Sequence, residues 1–205
     1  MGFYSRHIAP AVVDFACGAS PIAYQRRKLI PRATGVVLEI GAGGGRNFAL
    51  YDRDKVSQLI ALEPDAEMVK RGRARAPDGL KMEWIERGAE NAGLAPQSVD
   101  TIVTTYTLCT IPDAVSALGS LKGALKPGGK LLFCEHGLAP DESTRKWQKR
   151  IEPVWKPIAG GCHLTRDVSA LLGDAGWRIE QAETMYLPGT PRFAGYNTWG
   201  AAIPA

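Results

Sequence analysis

One acid and three alternating glycines form the first group of residues whose types and spacing could do chemistry. Glu39 ends an apolar run, and the pattern ExGxGxG continues through Gly41, Gly43 and Gly45. Glycines at this spacing let the backbone pass close beside a bulky ligand, because they carry no Cβ. The acid at the end of the run accepts a hydrogen bond or attracts a cation. The stretch therefore predicts a ligand site in which the backbone itself forms part of the wall.

Three kinds of ligand compete for this loop. A P-loop for triphosphates needs GxxxxGK[ST], and the loop has no Lys followed by Ser or Thr. A dinucleotide fingerprint needs a third glycine at the position of Arg46. The arginine therefore argues against interpreting the chain as a nicotinamide oxidoreductase. S-adenosylmethionine carries a sulfonium and an ammonium group joined to an adenosine, and it fits a loop that has no phosphate-binding pattern. The alternative interpretation is that the glycines only form a tight turn and bind no ligand. Glu63 favours a nucleoside ligand, since an acid at the end of the second predicted strand can grip both ribose hydroxyls.

Two neighbouring residues after the fifth predicted strand are candidates for proton transfer. His136 is the candidate base, because the end of that strand lies at the sheet edge where ligands bind. A thiol acceptor with a pKa of about 8.5 is mostly protonated at neutral pH, so a base beside it would raise its reactive fraction. Glu135 is the alternative base, or it orients His136. The alternative for His136 is a histidine that only forms a hydrogen bond with a loop. The alternative for Glu135 is a charged residue at the end of the sheet with no catalytic role.

Aromatic and sulfur-bearing residues near these positions are further candidates. Thr105 and Tyr106 end the fourth predicted strand and should face the ligand, although Tyr106 could equally be a core aromatic. Cys109 lies close by and is a further candidate contact. The alternative is that it is a buried cysteine that packs as a small hydrophobic residue. Cys162 stands beside His163, but no further ligands lie at a usable spacing, so the sequence predicts no metal site.

Residues 147–163 are predicted to close over the acceptor as a lid, with Trp155 and His163 as substrate contacts. An amphipathic helix packed against the sheet edge is the alternative. Arg166 is expected to bind an anionic substrate, or to pair with an acid or a helix end. Tyr4, in the N-terminal segment, is expected to contact the substrate and to close over the cofactor.

Strands and helices alternate along the chain, which is typical of a parallel sheet covered by helices on both faces. A helical segment over residues 8–29 precedes the first strand, and a further helix is expected directly after the glycines. Strands are predicted at residues 36–40, 58–63, 81–87, 101–106, 130–134, 178–185 and 193–202. The helices between them are predicted at residues 65–75, 113–125, 141–155 and 166–175.

The composition is that of one globular domain of 205 residues. The net charge of +4 is spread over several short basic runs, which argues against nucleic-acid binding. The four cysteines are too widely spaced for a disulfide framework, which favours a reducing, cytoplasmic location. The sequence contains no apolar run long enough to cross a membrane and no signal peptide. Peripheral contact with lipid and the oligomeric state stay open.

Five segments resemble, in order and spacing, the class I S-adenosylmethionine-dependent methyltransferases with a methyltransferase type 11 domain. The segments are VLEIGAGGGRN, ALEPDAEM, GAENAGL, SVDTIVTTYTLCTIPD and LKPGGKLLFCEHG. The resemblance implies a Rossmann-like three-layer α/β sandwich with sheet order 3-2-1-4-5-7-6 and strand seven antiparallel. Within a single domain it implies a helical cap (1–34), a cofactor-binding core (35–137), a substrate lid or cap (138–176) and C-terminal strands (177–205).

The cofactor implied by the resemblance is S-adenosylmethionine, with S-adenosylhomocysteine as the product. Glu90 is expected to contact the adenine amino group, and the backbone N–H of Ala89 a ring nitrogen. The candidate cofactor-binding residues are Glu39, Gly41, Ala42, Gly43, Asn47, Glu63, Pro64, Met68, Gly88, Ala89, Glu90, Thr105, Tyr106 and Cys109.

A finer resemblance concerns the methyl acceptor. The segments EHG (135–137) and WQKRIEPVWKPIAGGCHLTRD (147–167) are similar to the branch that includes thiol S-methyltransferases. The N-terminal segments FYSRHIAP and QRRKLIPRATG resemble bacterial phospholipid N-methyltransferases. The sequence therefore predicts methyl transfer to a small molecule, with a thiol as first choice. A phospholipid head group or small amine is the alternative acceptor, and a module that binds the cofactor without catalysis is the second alternative.

Overall fold

Strands and helices alternate in the computed structural model, which describes residues 9–205. The strands are β1 (Gly35–Ile40), β2 (Val56–Leu62), β3 (Met82–Ile85), β4 (Val99–Thr105), β5 (Leu125–His136), β6 (Trp177–Tyr186) and β7 (Tyr196–Pro204). The α-helices are α1 (Ala9–Cys17), α2 (Ser20–Leu29), α3 (Ala66–Ala74), α4 (Ala114–Leu121), α5 (Glu142–Ile158), α6 (Val168–Asp174) and α7 (Arg192–Gly195). Among these residues, no helix combines the length and the apolar composition that crossing a bilayer requires.

The seven strands form one sheet with the order β3-β2-β1-β4-β5-β7-β6. The first five strands are parallel to one another, and β7 is antiparallel to both β5 and β6. This confirms the predicted order and the antiparallel seventh strand. The direction of winding reverses between β1 and β4, so the loops that follow these two strands diverge. In open α/β sheets a ligand crevice forms at this point.

Both faces of the sheet are covered, because alternate residues of the central strands enter two separate cores. Leu38 and Ile40 of β1 pack on one face with residues of α4 and α6. Val37 packs on the other face with Leu29 of α2. Burial on both faces explains why the strands appear in the sequence as nearly continuous apolar runs.

The loop after β1 differs from the prediction, since no α-helix follows the glycines. Gly41, Gly43 and Gly45 have φ angles of 63°, 55° and 77°, all in the left-handed region. The chain then makes turns and a short 3-10 helix that begins at Phe48. Phe48 and Tyr51 are buried in the core on the α2 face. The prediction of a helix is wrong because these apolar residues anchor an irregular loop.

The antiparallel pair of β6 and β7 contains a register shift between Ile179 and Gln181. Gly200 of β7 lies against this shift. A Cβ added at Gly200 would lie 1.8 Å from the carbonyl oxygen of Gln181. The glycine is therefore required by the close approach of the two backbones.

Candidate functional site

A cavity of about 380 Å³ lies at the carboxyl ends of β1, β2 and β4, between the glycine loop, α1 and the end of α5. Its volume is in the range of small-molecule sites. The predicted residues that line it are Gly41, Ala42, Gly43, Glu63, Met68, Thr105 and Tyr106. Residues that the sequence did not single out as ligand contacts also line it, among them Asp14, Cys17, Arg26, Asp65, Thr107 and Thr110.

Glu63 is fixed at the cavity wall by backbone donors. Its Oε2 accepts a hydrogen bond from the N–H of Gly43, and its Oε1 accepts one from the N–H of Asp65, both at 2.9 Å. Burial raises the pKa of Glu63, and the two hydrogen bonds act in the opposite direction. Asp65 in turn caps α3 by accepting from the N–H of Met68 at 3.0 Å. One carboxylate therefore joins the glycine loop to the start of α3, and its oxygens retain acceptor capacity for ligand hydroxyls.

Glu39 lies under the glycine loop and not in the cavity wall. Its carboxylate accepts hydrogen bonds from Asn47 Nδ2 and from the Tyr51 hydroxyl, both at 2.8 Å. Burial raises the pKa of Glu39 to about 7, although these two hydrogen bonds lower it. Both donors belong to the loop after β1. Glu39 and Asn47 therefore hold the shape of the loop, and the expectation of direct contact with a cationic ligand does not match their positions.

Arg26 of α2 is a buried cation in the cavity wall that the sequence analysis missed. Its Nη1 donates to Asn47 Oδ1 at 2.9 Å and to Thr105 Oγ1 at 2.7 Å. Its guanidinium carbon lies 5.3 Å from the centre of the Tyr106 ring. Because these partners are neutral, the cation can bind an anionic ligand group such as a carboxylate. In the sequence Arg26 belongs to the basic run QRRK (25–28), and only the packing of α2 distinguishes it from the exposed cations Arg27 and Lys28.

Tyr106 carries backbone strain at the cavity wall. Its φ angle is 55°, in the left-handed region that non-glycine residues seldom adopt. The Tyr106 hydroxyl donates to Asn197 Oδ1 on β7 at 2.6 Å, and Arg26 lies over the ring. Such conformations persist where the surrounding structure determines them, and they cluster at functional sites.

Asp14 attaches α1 across the glycine loop. Its carboxylate accepts hydrogen bonds from Arg46 Nε at 2.8 Å and from Arg75 Nη1 and Nη2 at 2.9 and 2.8 Å. Arg75 also donates to the carbonyl oxygen of Gly44. Burial raises the pKa of Asp14, but the hydrogen bonds from Arg75 and Arg46 outweigh it and lower the pKa to about 2. Arg46 stands where a dinucleotide fingerprint has its third glycine. Its side chain instead holds α1 against the glycine loop.

Substituting Asp14→Asn is expected to lower the free energy of unfolding at pH 7 by up to about 2 kcal/mol, reduced by the partial exposure of the arginines. The folded pKa is about 2 and the ordinary value is 3.8. The stabilisation is therefore present above about pH 4 and is lost as the pH falls toward 2. Urea unfolding across this range should show the two proteins converging in acid. The exposed Asp78→Asn change is the control, and a constant difference between Asp14→Asn and wild type down to pH 2 would contradict this account.

Sulfur and nitrogen groups from distant parts of the chain meet beside the cavity. The Sγ atoms of Cys109 and Cys162 and a ring nitrogen of His136 all lie within 4.8 Å of one another. His136 Nε2 lies 3.1 Å from Cys162 Sγ, and Trp155 Nε1 donates to the same sulfur at 3.3 Å. We call Cys109, His136 and Cys162 the sulfur cluster.

The sulfur cluster favours negative charge on one of its two sulfur atoms. The hydrogen bond from the Cys109 thiol and the neighbouring His136 ring lower the pKa of Cys162. The cluster adjoins the cavity, because Thr110 and Gly161, which are next in the chain to its two cysteines, line the cavity wall.

Glu135 does not face the cavity. Its carboxylate is fully buried and accepts from the Thr104 hydroxyl at 2.7 Å. It also accepts from the N–H groups of Thr107 and Leu108 at 2.9 and 3.1 Å. Burial raises the pKa of Glu135 to about 7, and the hydrogen bonds oppose this. The residue holds the turn after β4 in place, so its position does not fit the predicted role of a base that takes a proton from the acceptor.

Other predicted cofactor contacts lie outside the cavity wall. Ala89 and Glu90 belong to a 3-10 turn after β3 that Gly88 precedes, and Ala89 is buried in the core on the α4 face. Pro64 and Cys109 do not line the cavity either, although both adjoin residues or segments that do. The signals for these residues were their adjacency to strand ends and the resemblance of their segments to a family, and neither determines which side chains turn toward the cavity.

The predicted substrate contacts separate in the same way. Trp155 contacts the sulfur cluster, whereas His163 Nδ1 lies 3.0 Å from Glu152 Oε1 and away from the cavity wall. Arg166 donates to the carbonyl oxygens of Leu108, Ile111 and Pro112, so it is a support for the turn after β4 and is not free for an anionic substrate. Tyr4 lies outside the described residues.

The cavity wall fits the implied cofactor. A Cβ added at Gly43 would reach van der Waals contact with Met68 Cε at 3.4 Å, so the glycine leaves a space between the loop and Met68. Glu63 would accept the ribose hydroxyls, and Arg26 would hold the carboxylate of the amino-acid part. Thr105 and Tyr106 would close the inner side.

Comparisons with known proteins agree with this arrangement. A family described as a methyltransferase domain matches residues 38–133. The thiol S-methyltransferase TMT1B of Homo sapiens is 30% identical over 169 residues, which cover 78% of this chain and 68% of the human protein. The TMT1B of Rattus norvegicus is 32% identical over 136 residues, which cover 64% of this chain and 55% of the rat protein. The chain thus spans about half to two thirds of the length of these relatives.

Solved structures share the fold. A methyltransferase from Leishmania major superposes with a TM-score of 0.71 at 19% identity, covering 97% of this chain and 80% of the other. One from Mesorhizobium loti gives a TM-score of 0.65 at 21% identity, covering 93% and 99%. Both are described as S-adenosylmethionine-dependent. With this sheet, this cavity and these relatives, the chain belongs to the S-adenosylmethionine-dependent methyltransferases.

Proposed function

We propose that this methyltransferase acts on the sulfur atom of a small thiol. S-adenosylmethionine supplies an activated methyl group when it is bound. The chain's own task is to hold an unprotonated acceptor sulfur beside the cavity. The observation that carries the proposal is the contact of 3.1 Å between His136 Nε2 and Cys162 Sγ, because the chain already holds a sulfur atom with polar partners at this place. The relatives named thiol S-methyltransferases, at 30% and 32% identity, support the same acceptor.

The acceptor is tested by incubating the protein with methyl-labelled S-adenosylmethionine and a panel of thiols, amines, phenols and phosphatidylethanolamine vesicles. Labelled thioether from small thiols is the expected product. Labelled amine or lipid without thioether would favour the N-methyltransferase alternative and overturn the proposal. Tight cofactor binding without S-adenosylhomocysteine release, whatever the acceptor, would instead indicate a binding module.

Substituting His136→Gln is expected to lower kcat/KM for the thiol by about 10-fold or more, the effect of removing a polar partner from a charged group. The dissociation constant for S-adenosylhomocysteine should stay within about 3-fold of wild type, since the residue does not line the cavity wall. His163→Gln is the matched control, because His163 contacts Glu152 and not the sulfur cluster. Equal thiol kinetics for His136→Gln and wild type would remove the residue from the reaction.

We further propose that the protein works in a reducing, cytoplasmic setting. The four cysteines, Cys17, Cys109, Cys134 and Cys162, are all free thiols. Free cysteines of this kind persist where thiols are kept reduced. Fractionation of the host cell, with the protein detected in the cytosol or in another compartment, tests this.

A further inference from the structure

We propose that Cys109, His136 and Cys162 form a zinc site whose fourth position takes the sulfur of the acceptor thiol. The identity of that fourth ligand rests on the proposed function, whereas the metal site rests on the geometry of the sulfur cluster alone. The sequence predicted no metal here, because the three residues lie far apart along the chain. The fold brings them together at the ends of β4 and β5 and after α5.

The separations in the sulfur cluster suit zinc. Zinc binds thiolate sulfur at about 2.3 Å and imidazole nitrogen at about 2.0–2.1 Å, so two ligand atoms of a tetrahedral site are about 3.5–3.8 Å apart. The three donor atoms here lie within 4.8 Å of one another, and the His136–Cys162 pair is 3.1 Å apart. Closing this set around an ion requires the His136–Cys162 pair to widen from 3.1 Å to about 3.5 Å. Two sulfurs and one imidazole are also donors that zinc prefers.

One hydrogen bond to the cluster suits a metal ligand. Trp155 Nε1 donates to Cys162 Sγ at 3.3 Å, and hydrogen bonds of this kind orient and tune a thiolate ligand. His136 Nδ1 is buried and has no partner within residues 9–205, so the tautomer of the ring depends on the contact between Nε2 and Cys162 Sγ. A zinc bond to Nε2 would fix it, with the proton on Nδ1.

Burial and charge favour an ion at this place. Cys109 and Cys162 are 3% and 7% exposed, so the two thiolates that zinc binding creates would be buried together and would need a compensating positive charge. One divalent zinc ion neutralises both. Three protein ligands leave the fourth position open, which is the arrangement of catalytic zinc sites. The sulfur cluster adjoins the cavity, whose wall includes Thr110 and Gly161, the residues next in the chain to the two cysteines.

The zinc site explains how the acceptor loses its proton. The thiol displaces a water molecule from the fourth position, its S–H bond breaks, and the proton passes to solvent. Both electrons of that bond stay on the sulfur, which is held as a zinc thiolate. A lone pair of the acceptor sulfur then forms the new bond to the methyl carbon of S-adenosylmethionine. The bond between that carbon and the sulfonium sulfur breaks, and its electron pair stays on the sulfur of S-adenosylhomocysteine. The neutral thioether is the weaker ligand, so it is released. His136 acts as a ligand in this scheme and not as the base.

Cobalt(II) substitution tests the site without any acceptor. The reduced full-length protein is freed of metal with a chelator and titrated with cobalt(II). The expected result is about one equivalent bound, with intense visible bands of tetrahedral cobalt and a near-ultraviolet band from thiolate ligation. Cys109→Ala, Cys162→Ala and His136→Gln should each lose or strongly weaken these bands. Cys134→Ala, which removes a buried cysteine outside the cluster, should keep them.

Calorimetric titration with S-adenosylhomocysteine shows that each variant is folded, so lost bands cannot be confused with unfolding. Absence of thiolate bands in folded wild-type protein overturns the inference. The same holds if metal-free protein methylates a thiol at the full rate, an outcome that leaves the proposed function standing. The inference expects metal-free protein to be at least about 10-fold slower and to recover with added zinc, in line with the usual cost of losing a metal's supporting ligand.

Discussion

Substituting Glu63→Gln is expected to weaken the binding of S-adenosylhomocysteine by about 100-fold. A carboxylate that accepts two hydrogen bonds from a ligand contributes about 1.5–3 kcal/mol for each, and about 1.4 kcal/mol corresponds to a factor of ten. The amide would also turn an NH2 group toward the N–H of Gly43 or of Asp65, which now donate to Glu63. The glycine loop would therefore lose its support together with the ligand's partner. Isothermal titration calorimetry measures the change.

Glu83→Gln is the matched control. Glu83 is an exposed acid on β3 that accepts from Gln58 at 2.9 Å and does not line the cavity. Its substitution should leave the affinity unchanged. If Glu63→Gln bound S-adenosylhomocysteine within about 3-fold of wild type, the acid would not hold the cofactor.

The largest expected effect on stability comes from Gly200→Ala. The new Cβ would lie 1.8 Å from the carbonyl oxygen of Gln181 and 3.0 Å from Ala182 Cα. Both contacts involve backbone, which cannot turn aside as a flexible side chain can. We expect the free energy of unfolding to fall by about 3 kcal/mol or more, because β6 and β7 must move apart. Urea unfolding at pH 7 measures this difference.

Gly173→Ala provides the opposite outcome in the same experiment. Gly173 lies within α6, and its added Cβ would meet no atom within 4 Å. Because alanine has less backbone freedom to lose than glycine, this change should stabilise the protein by about 0.5–1 kcal/mol. Similar free energies of unfolding for Gly200→Ala and Gly173→Ala would show that the antiparallel pair of β6 and β7 does not need a glycine at position 200.

The sheet could be predicted well from the sequence, and its irregular connections could not. The apolar run 36–40 and the β-branched block 101–106 identify buried parallel strands, and the family resemblance implies the topology. The helix expected after Gly45 is absent, because the apolar side chains of Phe48 and Tyr51 anchor a loop. A helix and an anchored loop place apolar residues at similar spacings, so periodicity does not separate them.

The candidate site was predictable where it depends on strand ends. The carboxyl ends of neighbouring parallel strands meet at one sheet edge, and Gly41, Gly43 and Glu63 do line the cavity there. Arg26 was missed because only packing distinguishes a buried cation from its solvated neighbours on the same helix. The sulfur cluster was missed because its three residues are far apart in the sequence and come together only in the folded chain. No local spacing of residues indicates such a cluster.

The attachment of α1 sets the cavity and the core apart in how they respond to solvent. Asp14 fastens this helix with hydrogen-bonded arginines that are about one-third exposed, at 33% for Arg46 and 38% for Arg75. The sheet is held by apolar side chains, which dissolved ions do not screen. Added salt is therefore expected to weaken the attachment of α1 beside the cavity more than the packing of the seven strands. We expect the affinity for the cofactor to depend on ionic strength more than the free energy of unfolding does.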